Sequence, residues 1–146
     1  MMFSHPLHPV VVHFPIALLF TSVLFDIIGT LWKRDSFREG ALWLLILGLL
    51  GGVAAAVTGD WAEHAAEKAG IAESLIEFHE TMAFITMGIF VALLLWRLIL
   101  RNHFSRNTAI AYFLAAMIGL GTLSATGYLG GDLVYEHGAG MTRQNY

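Results

Sequence analysis

His5-Pro6-Leu7-His8-Pro9-Val10-Val11-Val12-His13-Phe14-Pro15 holds three of the chain's seven histidines and all three of its prolines, and it runs straight into a long apolar segment. Proline is tolerated in a helix only in or near the first turn. The spacing therefore predicts a helix that starts between Pro9 and Pro15, with His13 in or just below its first turn. An imidazole facing lipid would lack the hydrogen-bond partner or metal that its nitrogens need there. His13 is accordingly read as the first of several histidines that face inward and define a site.

The remainder of the chain agrees with a membrane setting. Of 146 residues, 57% are hydrophobic and only 13% charged, with a mean hydropathy of +0.67. Soluble domains carry about 25% charge. Four apolar stretches, 10–32, 41–59, 78–100 and 108–130, are each close to the roughly 20 residues a bilayer-crossing helix requires. The expectation is an all-α membrane protein, with residues 1–146 forming one four-helix transmembrane domain. A net charge of −3 with no basic run speaks against nucleic acid. The absence of cysteine excludes disulfides, thiolate metal sites and covalent c-type haem. The first segment lacks a basic leader and cleavage site, so it is expected to remain as an anchor.

Basic residues set the orientation. Lys33, Arg34 and Arg38 lie in the first loop, and Arg97, Arg101 and Arg106 surround the third, whereas only Lys68 and Arg143 fall on the other side. The positive-inside rule places the first and third loops in the cytoplasm and both termini outside, in the periplasm of a bacterial inner membrane. His5, His8, His13, His64, His79 and His137 then gather at the outer boundary, and His103 alone is cytoplasmic.

The two halves of the chain also echo each other. Set side by side, His13 matches His79 and Ala17 matches Ala83, Trp32-Lys33-Arg34 falls beside Trp96-Arg97, Gly51 matches Gly119, and Thr58-Gly59 matches Thr126-Gly127. Glu63-His64 matches Glu136-His137 after a five-residue insertion. Both halves run in the same direction, which implies a pseudo-twofold axis along the membrane normal. In the second loop, Ala62, Ala65, Ala66 and Ala69 suggest a short interfacial helix ended by Gly70, and the third helix is expected to begin before the bilayer.

Inward imidazoles near one end of a four-helix bundle suit haem, since bundles build cofactor sites from side chains on facing helices. Two axial histidines leave iron no open position, an arrangement for electron transfer. His13 with His79 is the first expected ligand pair, and His64 with His137 the second, with His8 as a substitute. Ala17, Thr21, Ala83 and Thr86, one and two turns deeper, provide room for a ring. Gly48, Gly51, Gly52, Ala55, Ala115, Gly119 and Thr122 add space from the second and fourth helices, although small residues also serve plain helix packing. Phe14, Phe20, Phe78 and Trp61 are candidates to wall the ring edge. The alternatives are a non-haem copper, zinc or iron site at the same histidines, and a non-catalytic subunit of a larger membrane complex. An electron carrier or subunit fits better than a stand-alone enzyme, with a periplasmic or membrane redox partner, including quinone. Glu63, Glu80, Asp132 and Glu136 are read either as carboxylates that orient imidazoles or as a solvated acidic outer surface. Asp26, about 20 Å below His13, is expected to pair structurally with Arg97.

The two end motifs, His5-Pro6-Leu7-His8-Pro9 with His13-Phe14-Pro15 and Gly127-Tyr128-Leu129-Gly130-Gly131-Asp132-Leu133-Val134-Tyr135-Glu136-His137-Gly138, resemble the bacterial membrane family catalogued as domain of unknown function 2231 (DUF2231). The likeness extends over essentially the whole chain. It implies a four-helix protein of the bacterial cytoplasmic membrane, with relatives sometimes joined to Rieske-like or cytochrome domains. It implies no established activity, so the site roles rest on the residues.

Overall fold

The computed structural model describes residues 7–100 and 105–140. A one-turn helix α1 (His8–Val11) leads through Val12 into α2 (His13–Leu31), and α3 (Asp35–Lys68), α4 (Glu73–Leu100) and α5 (Arg106–Tyr135) follow. The run His8–Leu31 and each of the other three helices are long and apolar enough to cross a membrane. His5, His103, Arg101 and Arg143 lie outside the described residues.

The helices overrun the expected spans chiefly at the end that carries the α3–α4 connection. No separate interfacial helix forms at Ala62–Ala69; this alanine-rich segment prolongs α3 to Lys68, because alanine has the highest helix propensity and nothing interrupts the turn. Gly70 ends it as expected, with φ +84°. The Gly70 amide bonds to the Glu67 carbonyl (2.9 Å), and the Ile71 amide reaches back to Ala66 (3.2 Å). Glycine adopts this left-handed conformation without the Cβ penalty. Likewise α4 begins at Glu73, before the apolar stretch starts.

Helices α1 and α2 pair with α3 in one hairpin, and α4 pairs with α5 in the other. The two hairpins repeat with one constant, gap-free spacing of 71 residues, the separation of Asp26 and Arg97. The helix starts at N-cap Arg34 and N-cap Ser105 obey it. So does the core: Leu19 and Phe90 are mates, as are Leu45 and Ala116, Ala41 and Tyr112, and all six are buried. Within each hairpin a glycine admits its neighbour's bulk. A Cβ on Gly48 would stand 2.7 Å from Leu19, and one on Gly119 would stand 3.3 Å from Phe90.

This spacing corrects the register expected from matched letters. His13 is not the mate of His79, nor Ala17 of Ala83, nor Gly51 of Gly119. The constant spacing pairs His8 with His79, Gly48 with Gly119, and Glu63-His64 with Val134-Tyr135. Identical letters mislead where the halves have diverged, because packing retains place in the helix rather than residue type.

Two pairs of mates meet each other, and mates can touch only where the twofold axis passes between them. At one end the Arg97 guanidinium donates to the Asp26 carboxylate, with side chains 13% and 7% exposed. Tyr112 donates to the other carboxylate oxygen at 2.8 Å, and Arg97 also donates to the Arg38 carbonyl. The expected Asp26–Arg97 pair therefore exists, and the carboxylate is bonded at both oxygens. At the other end of the axis His8 meets His79. Eighteen residues separate His8 from Asp26 in sequence, about 27 Å of helix, close to the ~30 Å hydrocarbon thickness of a bilayer.

Removing one partner of a buried ion pair costs about 3–5 kcal/mol, because the other charge is left uncompensated. Asp26→Ala and Arg97→Ala should each lower the thermal unfolding temperature in detergent sharply. Because the two positions are symmetry mates, the swap Asp26→Arg with Arg97→Asp should recover part of that loss; a swap no better than the single variants would contradict the axial arrangement.

Candidate functional site

Beyond the Leu19–Phe90 layer, toward the α3–α4 connection, the hairpins part around a cavity of about 470 Å³, within the 300–1,000 Å³ usual for ligand pockets. All four long helices line it. Its walls are apolar and small, among them Gly52, Ala55, Ala83 and Gly130, and its polar groups are few: His8, His13, His79, Glu63, Glu80, Tyr135 and two threonines. Met87 reaches in over Gly52, where a Cβ would collide at 2.4 Å.

His8 and His79 face each other across the axis inside this space. Their ring centroids are 6.3 Å apart, with planes nearly perpendicular at 87°. Each ring leans on a glycine of its own hairpin: a Cβ on Gly59 would lie 3.2 Å from His8 Cε1, and one on Gly130 would lie 3.0 Å from His79 Cε1. Gly59 and Gly130 are mates, so the seat is duplicated together with the ring.

The tautomer of His8 follows from its partners. Nδ1 stands 3.0 Å from the Ala55 carbonyl, which can only accept. Nδ1 therefore carries the proton, and the Thr58 hydroxyl accepts the same N–H at 3.2 Å while donating to carbonyls of its own helix. The lone pair then resides on Nε2, the usual arrangement of a metal-ligating imidazole. His79 has its backbone acceptor at the equivalent place, the carbonyl of Thr126, the mate of Ala55, although the contact at its buried Nδ1 is less well aligned.

The other candidate histidines are directed elsewhere. His13 is exposed at the rim of the cavity and is bonded through Nδ1 to the Pro9 carbonyl one turn back (2.6 Å). His64 is exposed and bonded to the Asp60 carbonyl (2.9 Å). His137 is exposed just beyond α5, 3.3 Å from the Asp132 carbonyl and 3.5 Å from its carboxylate. The structure thus brings together His8 and His79, leaves His13 at the edge, and holds His64 and His137 against their own backbone. Ala83 and Thr86 line the cavity, but Ala17 is exposed and apart from it. Phe14, Phe20, Phe78 and Trp61 do not wall it; they are 39–65% exposed, because they occupy the lipid-facing sides of their helices. Of the four carboxylates, Asp132 is the one within ion-pair distance of an imidazole among the described residues, that of His137. Glu63 and Glu80 face the cavity mouth.

The central place of His8 is the feature that letter matching missed. The signal was nonetheless present: His8, Gly48 and Gly59 each recur as the same residue at one spacing, at His79, Gly119 and Gly130.

The glycine seats give a direct test. Gly121 faces open space, with nothing within 4 Å of an added Cβ, so Gly121→Ala should gain up to about 1 kcal/mol of helix propensity. Gly130→Ala should lose that gain against His79 and shift the ring's NMR resonances; equal stabilisation at both positions would show that the His79 contact is soft.

No curated protein and no solved structure matches the chain. A family model described as "Predicted membrane protein (DUF2231)" matches residues 4–143, which is nearly the whole sequence, and the chain belongs to that family.

Proposed function

We propose that the protein is a membrane-embedded b-type haem protein that passes electrons near the outer face of the bacterial cytoplasmic membrane, with His8 and His79 as axial ligands. The observation that carries this reading is the imidazole pair on the pseudo-twofold axis, 6.3 Å between centroids. A metal held between two imidazole nitrogens at about 2 Å each puts the centroids about 6 Å apart, since each lies about 1 Å behind its nitrogen. Haem iron with two such ligands cycles between ferric and ferrous states with no open coordination position.

The donor set favours a macrocycle over a bare ion. Zinc, copper or non-haem iron needs three or four protein donors. Among the described residues no group of three or more histidine, cysteine or carboxylate side chains converges as a metal site. A porphyrin supplies four donors itself, so two imidazoles suffice. The residues of the chain do the rest. Ala55 and Thr58 hold the His8 proton on Nδ1. Gly59 and Gly130 let the rings approach the helices, and the apolar wall excludes water, which favours the less charged reduced state.

The basic residues Lys33, Arg34, Arg38, Arg97 and Arg106 cluster at the opposite end of the bundle, which supports placing the site on the outer side. Electrons would then be exchanged there with a periplasmic or membrane partner, quinone included.

Protein purified with haem supplied should show a Soret band and sharp bands in the visible on reduction with dithionite. His8→Ala and His79→Ala should each abolish the bis-imidazole spectrum, whereas His13→Ala, His64→Ala and His137→Ala should retain it. Retention of the spectrum in both His8→Ala and His79→Ala would refute the assignment, as would wild-type protein without pigment.

A further inference from the structure

We infer that the cavity between the hairpins is also a binding site for a lipophilic ammonium, a cation that carries N–H donors on an apolar body. This goes beyond the haem reading and does not rest on it. It follows from which hydrogens the lining side chains have already committed, and it applies to the cavity when no haem stands there.

The imidazoles come first. His8 Nδ1 stands 3.0 Å from the Ala55 carbonyl and His13 Nδ1 2.6 Å from the Pro9 carbonyl, and His79 has the Thr126 carbonyl at the place equivalent to Ala55. A carbonyl only accepts, so each ring carries its proton on Nδ1 and keeps a lone pair on Nε2. The hydroxyls repeat the pattern. Thr86 donates to the Met82 carbonyl (2.8 Å) and Thr126 to the Thr122 carbonyl (2.9 Å). A hydroxyl has one hydrogen and two lone pairs, so what each threonine has left for a guest is acceptance. Glu63 and Glu80 add carboxylates from α3 and α4, and among the described residues no lysine or arginine lines the space. The remaining donor, the Tyr135 hydroxyl, belongs to a residue 80% exposed at the rim.

The interior therefore offers acceptors, negative charge and apolar wall, and three classes of guest fare differently in it. An anion or a carbonyl-bearing guest finds no donor, and a buried polar group left without one is costly. A bare metal ion finds too few ligands, because among the described residues no three histidine, cysteine or carboxylate side chains converge, and apolar walls cannot replace its water. An ammonium on a hydrocarbon body satisfies both halves of the lining. Its N–H groups meet the imidazole lone pairs and the carboxylates in charge-assisted hydrogen bonds, and its body meets the small apolar residues around a space of about 470 Å³.

Three compounds with one rigid apolar body serve as probes: adamantylammonium, adamantanol and adamantanecarboxylate. Binding to detergent-solubilised protein, purified without added haem, is followed by the ring resonances of His8 and His79 and by the unfolding temperature. The ammonium should shift both rings and raise the unfolding temperature, the alcohol should bind about tenfold or more weakly, and the carboxylate should do neither. The double variant Glu63→Gln/Glu80→Gln should weaken ammonium binding by about tenfold or more. Asp60→Asn/Glu77→Gln, whose carboxylates lie outside the cavity lining, should change it less than about twofold, as expected of charges screened by solvent. Alcohol or carboxylate bound as tightly as the ammonium overturns the inference, as does an unchanged affinity in Glu63→Gln/Glu80→Gln or the absence of any response to the ammonium. Should that variant fail to fold, the three probes on the wild-type protein still decide. The haem reading is decided separately, by the Soret band.

Discussion

Contact between symmetry mates is the constraint on which the rest of the structure depends. Helices in lipid gain little from burying apolar surface against one another, since the acyl chains are equally apolar. What distinguishes one arrangement of the two hairpins from another is polar pairing and close packing. Asp26 and Arg97 supply the first, with Tyr112 taking the remaining carboxylate oxygen. Leu19 and Phe90, each opposite a glycine of its own hairpin, supply the second. Sliding one hairpin by a turn would separate a buried charge pair by about 5.4 Å, which the hydrocarbon region strongly penalises. The same register that closes this pair brings His8 to His79 at the far end.

Much of this was legible in the residues. The four spans follow from apolar length, the end of α3 at Gly70 follows from the conformations glycine permits, and the Asp26–Arg97 pair follows from matched depth. The duplication was also visible, but its register was not, and the reason is physical. Matching letters weights identities such as Thr58-Gly59 with Thr126-Gly127, whereas the fold retains position and burial. Asp26 opposite Arg97 and Leu19 equivalent to Phe90 share no letter at all. Matching His13 with His79 by letter puts His13 ahead of His8 as a ligand. Its ring is instead satisfied by the Pro9 carbonyl one turn back at the start of the helix.

The aromatic residues illustrate the complementary limit. Composition cannot say which face of a membrane helix looks inward, because lipid and protein core are both apolar. Phe14, Phe78 and Trp61 were as suited to the cavity as Met87, and only helix rotation sends them outward. Rotation is set by the few residues that cannot face lipid, namely His8, Asp26, His79 and Arg97. Reading inward faces from those four alone places Ser22 and Leu93, and Pro15 and Thr86, in the interior, where they are indeed buried.

Glycine and alanine have two opposite effects in this bundle, and their combination makes the site. Within a hairpin they let a helix approach until an imidazole rests on the backbone at Gly59 or Gly130. Between hairpins the same lack of side chains leaves volume that nothing else fills, since Leu19 and Phe90 already close the layer beneath. A uniformly large-residue interface would have packed this end solid, and a uniformly small one would have drawn the hairpins together as in ordinary close-packed membrane pairs. Clamping at the charged end with small residues at the histidine end holds the halves apart around the cavity that His8 and His79 share.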